Sequence, residues 1–322
     1  MLIGHKKIWD FLIKSARQER LAHAYLFFGP AEIGKKTLAL EFAKRLLCQN
    51  KKNDLPCQNC QSCRDIEKNS HPDVFALAPR QEEKKGVLKT YEIGIGEINS
   101  LRHQLSLSPY CSLLKIAIID DSDKMTNEAV NSLLKTLEEP SAKSLIFLIT
   151  SRKQAILPTI FSRCQAIGFS SVAQEEIIAG LKHLDFGDSI SAKAAKLCAG
   201  RPGRALKICR NREILENRER NFEIFSRILK TDLVGKMELA GEMSQNIPQA
   251  RETLSEWLLF MRDGLLANLG CGDLALGKNE SCEKLINSQV CAVSRQIQKT
   301  KNILGNSSFD SKLALEVMMM KI

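Results

Sequence analysis

The chain has 322 residues, enough for two or three domains; 44% are apolar and only 6% aromatic, which excludes a disordered protein and favours a helix-rich globular one over a β-sandwich. Lys and Arg number 47 against 37 Asp and Glu, and the resulting +10 suits a surface that works beside polyanions such as nucleic acid. No apolar run approaches the roughly 18 residues a membrane span needs, and His5-Lys6-Lys7 precludes a leader-like apolar core, so a cytoplasmic location without membrane contact is expected.

In chain order, the first predicted strand is the apolar run Tyr25–Phe28. It runs into Gly29-Pro30-Ala31-Glu32-Ile33-Gly34-Lys35-Lys36-Thr37 and then into a predicted helix whose inward face is Leu38, Phe42, Ala43, Leu46 and Leu47. Strand, Gly-rich turn and helix form the context of a phosphate-binding loop. In such a loop the backbone N–H groups cradle phosphates, the Lys reaches the β/γ oxygens and the next residue offers a hydroxyl to Mg²⁺. Gly29, Gly34 and Lys35 fit, but Lys36 stands at the hydroxyl position and Thr37 comes one residue late.

Four of the eleven cysteines follow closely: Cys48, Cys57, Cys60 and Cys63, spaced C-x8-C-x2-C-x2-C. Four thiolates at this spacing can close a tetrahedral Zn²⁺ site, and with no open coordination position the role expected is structural. The intervening residues, among them Asn53, Asp54, Pro56, Gln58 and Asn59, are polar and turn-prone. Metal binding and local folding should therefore be coupled.

Further strands are predicted at Val74–Leu77, Ile116–Ile119 and Leu145–Ile149. The last two are unbroken apolar runs, as in strands buried on both faces of a parallel sheet. The Ile116–Ile119 strand ends in Asp120-Asp121. An Asp at this strand end holds Mg²⁺ in phosphate-loop NTPases, and Asp120 fits that position. Thr126 is placed to cap a helix running to Leu137, which Pro140 closes. Arg163 lies in Ser162-Arg163-Cys164, beyond a short turn after the Leu145–Ile149 strand. It is either a surface charge or an arginine that reaches a neighbouring subunit's phosphate, and spacing leaves both open.

Beyond about Ser170 no strand is predicted. Short helices are expected at Glu175–Leu184 and Ala192–Ala199, then longer ones at Glu213–Lys230, Gln249–Leu269, Lys284–Leu304 and Lys312–Met319, with a Gly-rich loop at Gly270–Glu280. The fold class read from this pattern is α/β with a parallel sheet, followed by all-α segments.

The sequence resembles the bacterial sliding-clamp loader subunits of the AAA+ superfamily, most closely their delta-prime branch. The resemblance rests on His23–Phe27, the phosphate loop, the four cysteines, Ile118–Met125, Asn131–Pro140 and Leu157–Gln165. It implies an AAA+ phosphate-loop domain over 1–169 with a zinc module at 48–63, a small helical lid over 170–210 and a helical collar for oligomerisation over 211–322. The implied partners are gamma/tau and delta clamp-loader subunits in a pentameric ring, which together place the sliding clamp on primed DNA. Arg163 matches the family's Ser-Arg-Cys arginine, which points at ATP held by the adjacent subunit, and the four cysteines match the family's zinc ligands.

Departures from the family pattern shape the expected role. Lys36 replaces the Mg²⁺-binding hydroxyl, Asp121 stands where the ATPases usually have Glu, and Gly203 stands where the ATPases' lid has a phosphate-sensing Arg. Gly29, Gly34, Lys35, Thr37 and Asp120 thus outline a degenerate nucleotide site in which ATP binding is in doubt and turnover is not expected. The reading is a non-hydrolysing stator with no catalytic residue for its own site and a trans-acting Arg163. The alternatives are an active ATPase of the gamma/tau type and a free-standing zinc protein that binds nucleic acid.

Overall fold

A computed structural model describes residues 2–50, 54–84, 87–141, 143–211, 213–272, 275, 286–305 and 309–322, the side chains of 81–90 excepted. Asn53, Cys282 and most of the predicted Gly270–Glu280 loop lie outside the described residues. The chain forms two compact units, Met1–Leu206 and Lys207–Ile322.

The first unit runs α1 (Lys6–Arg17), β1 (Ala24–Phe28), α2 (Lys35–Leu47), α3 (Gln61–Glu67), β2 (Val74–Leu77), β3 (Gln81–Lys84), β4 (Val87–Thr90), α4 (Ile95–Ser106), β5 (Lys115–Ile119), α5 (Asn127–Glu138), β6 (Ser144–Thr150), α6 (Pro158–Phe161), β7 (Gln165–Gly168), α7 (Gln174–Lys182) and α8 (Asp188–Leu197). The boundary falls within α9 (Pro202–Arg210). Five strands form one parallel sheet in the order β2-β5-β6-β1-β7, while β3 and β4 make a separate antiparallel pair.

Strand side chains alternate between faces, so each unbroken apolar run feeds two cores. Tyr25, Phe27, Ile116, Ile118, Phe147 and Ile149 face α1 and α2, where they meet Trp9, Leu12, Leu38 and Phe42. Leu26, Ala117, Ile119, Ile146 and Leu148 face the other way, against Ile98 and Leu101 of α4 and Leu133 and Leu137 of α5. Tyr25 and Phe147 stack with centroids 5.6 Å apart, and Phe27 lies 5.2 Å from Phe147. Burying each such side chain contributes about 1.5–3 kcal/mol. Thr126 caps α5 as expected, its Oγ1 accepting the Ala129 N–H at 3.2 Å.

Among its described residues after the boundary the second unit has helices as its regular elements: α10 (Glu213–Ile228), α11 (Leu233–Ser244), α12 (Ile247–Asn268), α13 (Asn287–Ile303) and α14 (Ser311–Met319). Its core gathers Phe225, Leu254, Trp257, Phe260, Met261, Ile297, Leu315 and Met318. Side chains start three of the helices: Asp232 accepts from the Gly235 N–H, Asn246 from Gln249 and Asp310 from Lys312 and Leu313. Helix α11 was not predicted, because Leu233, Val234, Met237, Leu239 and Met243 do not gather on one helical face. Among the described residues no helix is long and apolar enough to cross a membrane.

Candidate functional site

The turn after β1 opens beside the C-terminal ends of β5 and β6, the edge where open parallel sheets place ligands. Gly29 has φ +146°, and a Cβ there would lie 2.5 Å from the Phe169 carbonyl oxygen, so only glycine lets β1 leave the sheet at this angle. Gly34 precedes α2 with φ +104°. Lys35 is 6% exposed, and its Nζ donates to the Gly29 and Pro30 carbonyls at 2.7 and 2.6 Å. Burial lowers its pKa, while Asp120, Asp121 and Asp123 act to raise it. Thr37 lies exposed in the first turn of α2.

The carboxylates at the head of β5 are each engaged by a cation of this chain. Asp120 lies 3.3 Å from Lys36 Nζ, so the ammonium stands beside the carboxylate that the sequence assigns to Mg²⁺. Asp121, with φ +46°, pairs with Lys124 at 2.7 Å. Asp123 accepts from Thr150 Oγ1 at 2.6 Å and from Arg152 Nε at 2.7 Å. Thr150, Asp123 and Arg152 were not singled out in the sequence, although the polar Thr ending the apolar run of β6 was the available signal.

Two segments close over the loop within the first unit. His5 Nε2 lies 2.8 Å from the Ile33 carbonyl, and its ring meets Phe169 edge-on at 4.8 Å. Burial holds the His5 pKa below its ordinary value, against the raising effect of the Ile33 hydrogen bond and Glu176. From the other side the Gly203 N–H donates to the Glu32 carbonyl at 2.8 Å. A Cβ at 203 would lie 2.7 Å from that oxygen, so the start of α9 rests on the loop where any side chain would intrude.

Cys48, Cys57, Cys60 and Cys63 come together with their sulfurs all within 4.8 Å of one another. Cys48 ends α2, Cys60 precedes α3, and their sulfurs are 3.9 Å apart. The Cys57 N–H points at Cys48 Sγ and the Cys60 N–H at Cys57 Sγ, at 3.4 and 3.3 Å, an arrangement that favours thiolates. Burial works against ionisation of Cys60, yet hydrogen bonds from the Cys63 and Gln49 backbone and from the Cys63 and Cys57 thiols bring its pKa to about 6. Burial raises that of Cys63. Four sulfur donors converging in this way can hold one metal ion.

The cysteine loop is fastened to the sheet's helices by charge. Asp54 pairs with Arg17 of α1 and, at 3.1 Å, with Arg45 of α2. Lys44, 5% exposed, donates to Glu41 at 3.2 Å and to Gln58 at 3.0 Å, and Gln58 donates back to Glu41 at 2.7 Å. A second cluster, His71, Asp73 and Cys111, was not predicted. There the buried Asp73 accepts the Tyr110 and Cys111 N–H groups at 2.7 and 2.9 Å and Ser112 Oγ at 2.5 Å. His71 Nδ1 accepts the Asp73 N–H at 3.1 Å. With these lone pairs in use, the cluster serves to fasten the loop before β5.

Arg163 follows α6. Its guanidinium reaches Glu138, the last residue of α5, at 2.8 Å and donates to the Thr159 carbonyl at 3.1 Å. The side chain remains 35% exposed.

The family profile described as "DNA polymerase III, delta subunit" matches residues 4–173, more than half of the chain. DNA polymerase III subunit delta' of Bacillus subtilis is 32% identical over 219 residues, 68% of this chain and 63% of that protein. Subunit delta' of Pseudomonas aeruginosa is 36% identical over 143 residues, 44% and 42% of the two chains. Subunit tau of Bacillus subtilis is 30% identical over 196 residues, 61% of this chain and 33% of that protein. The chain thus spans between a third and just under two thirds of the length of these relatives. In fold it is similar to a gamma subunit-related protein of DNA polymerase III from Thermotoga maritima, with a TM-score of 0.51 and 18% identity over 96% of this chain and 97% of that one. With the profile covering the whole parallel-sheet region and the fold shared along nearly its full length, the chain belongs to the DNA polymerase III delta-subunit family of clamp-loader proteins.

Proposed function

We propose that this chain is a stator: a clamp-loader subunit that hydrolyses no ATP itself and lends Arg163 to the ATP site of a neighbouring subunit. The observation that carries the reading is the pairing of Asp120, Asp121 and Asp123 with Lys36, Lys124 and Arg152. A hydrolysing site needs a free carboxylate for Mg²⁺ and a means of positioning water. Here Lys36 stands at the hydroxyl position with its ammonium beside Asp120, the shorter Asp121 stands where the ATPases usually have Glu, and glycine occupies position 203. Gly29, Gly34, Lys35, Thr37 and Asp120 then form a retained nucleotide-type scaffold.

The partners proposed are gamma/tau and delta subunits in a pentameric ring, acting with the sliding clamp and primed DNA. In that assembly 1–169 is the AAA+ domain, 170–210 the lid and 211–322 the collar. Arg163 contributes transition-state charge to a partner's phosphate, a role worth orders of magnitude in turnover where arginine fingers are established. The metal proposed for the four-cysteine cluster is zinc in a structural role, since four cysteines leave no open coordination position and Zn–S bonds of about 2.3 Å would set the sulfurs about 3.8 Å apart, near the 3.9 Å between Cys48 and Cys60.

The test is steady-state ATPase of a reconstituted complex with clamp and primed DNA, alongside the purified chain. The chain alone should show no Mg²⁺-dependent turnover above buffer. Arg163→Ala should leave assembly intact by gel filtration and lower turnover of the complex at least tenfold at the site it faces. Turnover by the chain alone that disappears in Lys35→Ala overturns the stator reading; unchanged turnover in the Arg163→Ala complex overturns the role of the arginine.

A further inference from the structure

We infer that Glu138 is a positioning residue for Arg163, a light latch that holds the guanidinium against this chain's own α5 until a phosphate competes for it. The inference rests on the reading of Arg163 as a trans-acting arginine. Arg163 spans two anchors: Glu138 Oε1 at 2.8 Å, and the Thr159 carbonyl with Ser162 Oγ at 3.1 and 3.3 Å. Thr159 lies on the short helix α6 just before the arginine, whereas Glu138 is the final residue of α5. The two helices pack together, so the carboxylate arrives from a separate, fixed element.

The strength of the hold follows from exposure. The side chains of Arg163 and Glu138 are 35% and 49% exposed, so solvent screens the pair and each partner can leave without stranding a buried charge. A phosphate offers the guanidinium two parallel acceptors and more negative charge than one carboxylate. A ligand of that class can therefore draw Arg163 Nη2 from Glu138, and Nη1, which donates to the Thr159 carbonyl and Ser162 Oγ, moves with the same guanidinium. Glu138 thus sets the cost of release and reduces capture of Arg163 by stray anions before assembly.

The prediction concerns the reconstituted complex with clamp and primed DNA. Glu138→Gln keeps the side chain's shape and removes its charge. It should lower the KM for ATP about two- to fivefold, the range that an exposed ion pair supports, with kcat little changed. The effect should vanish in an Arg163→Ala background, where there is nothing to release. A raised KM, an unchanged KM, or an equal effect with Arg163→Ala overturns the latch. The isolated chain gives a readout independent of the trans role: ¹⁵N relaxation of the Arg163 Nε should report a more mobile guanidinium in Glu138→Gln. If Arg163→Ala leaves turnover unchanged, the trans-arginine reading fails, and the relaxation result alone then decides the latch: greater mobility upholds it and unaltered mobility overturns it.

Discussion

Lys36 places an ammonium 3.3 Å from Asp120, where a phosphate-loop enzyme would need the carboxylate for a divalent cation. The chain thus supplies a positive charge of its own beside this carboxylate. Asp73 shows the same reliance on an ionised carboxylate in a structural setting. Its burial opposes ionisation, but the hydrogen bonds from Ser112, Tyr110 and Cys111 outweigh it and hold the pKa at about 2. The native state therefore favours the charged form. Its stabilisation is complete above the unfolded-state value near 4 and is lost as pH falls from there through about 2. Asp73→Asn should cost about 2 kcal/mol at neutral pH and flatten the pH dependence of stability below pH 5. Urea unfolding of both proteins across pH 2–7 measures both effects; parallel curves dismiss the argument.

At the scale of elements, local chemistry explains what the sequence revealed. The runs at 25–28, 116–119 and 145–149 were readable because they are buried on both sides, and Thr126 because its cap needs only local spacing. The C-x8-C-x2-C-x2-C pattern was equally legible, since four sulfurs so close in sequence have few ways to avoid one another. Strand β7 was missed because it lies at the sheet edge, largely exposed, with Gly168 at its end. The clasp of Glu138 on Arg163 was also invisible, since the partners stand 25 positions apart with strand β6 and helix α6 between them. So was the closure of the loop by His5 and Gly203, which depends on how the ends of the first unit return to it. The cysteine loop yields a direct prediction. If the four cysteines hold a metal, Cys60→Ser should lower the metal content of the purified protein, measurable by elemental analysis, and lower the thermal midpoint, because metal binding and folding of such a loop are linked. Equal metal content in the two proteins rules out the site.

Over the whole molecule, each compact unit carries its own core, and the two tryptophans of the chain report them separately. Trp9 packs at 6.1 Å from Phe42 in the first unit, and Trp257 at 5.3 Å from Phe225 in the second. Independent cores predict that cooperative unfolding stops at the unit boundary. Two single-tryptophan variants, Trp9→Phe and Trp257→Phe, should therefore give fluorescence transitions in urea with different midpoints. Coincident midpoints in both variants would show one cooperative unit instead.

Helix α2 joins two features otherwise unrelated in chemistry. It starts at Gly34 of the loop and ends at Cys48 of the sulfur cluster, a rod of 13 residues, or about 20 Å. Lys44 and Arg45 in its last turns are clamped to Gln58 and Asp54 of the cysteine loop. A rod pinned at one end transmits tilt to the other. A metal held by the four cysteines would therefore bear on the same helix that carries Lys35 and Lys36 of the loop.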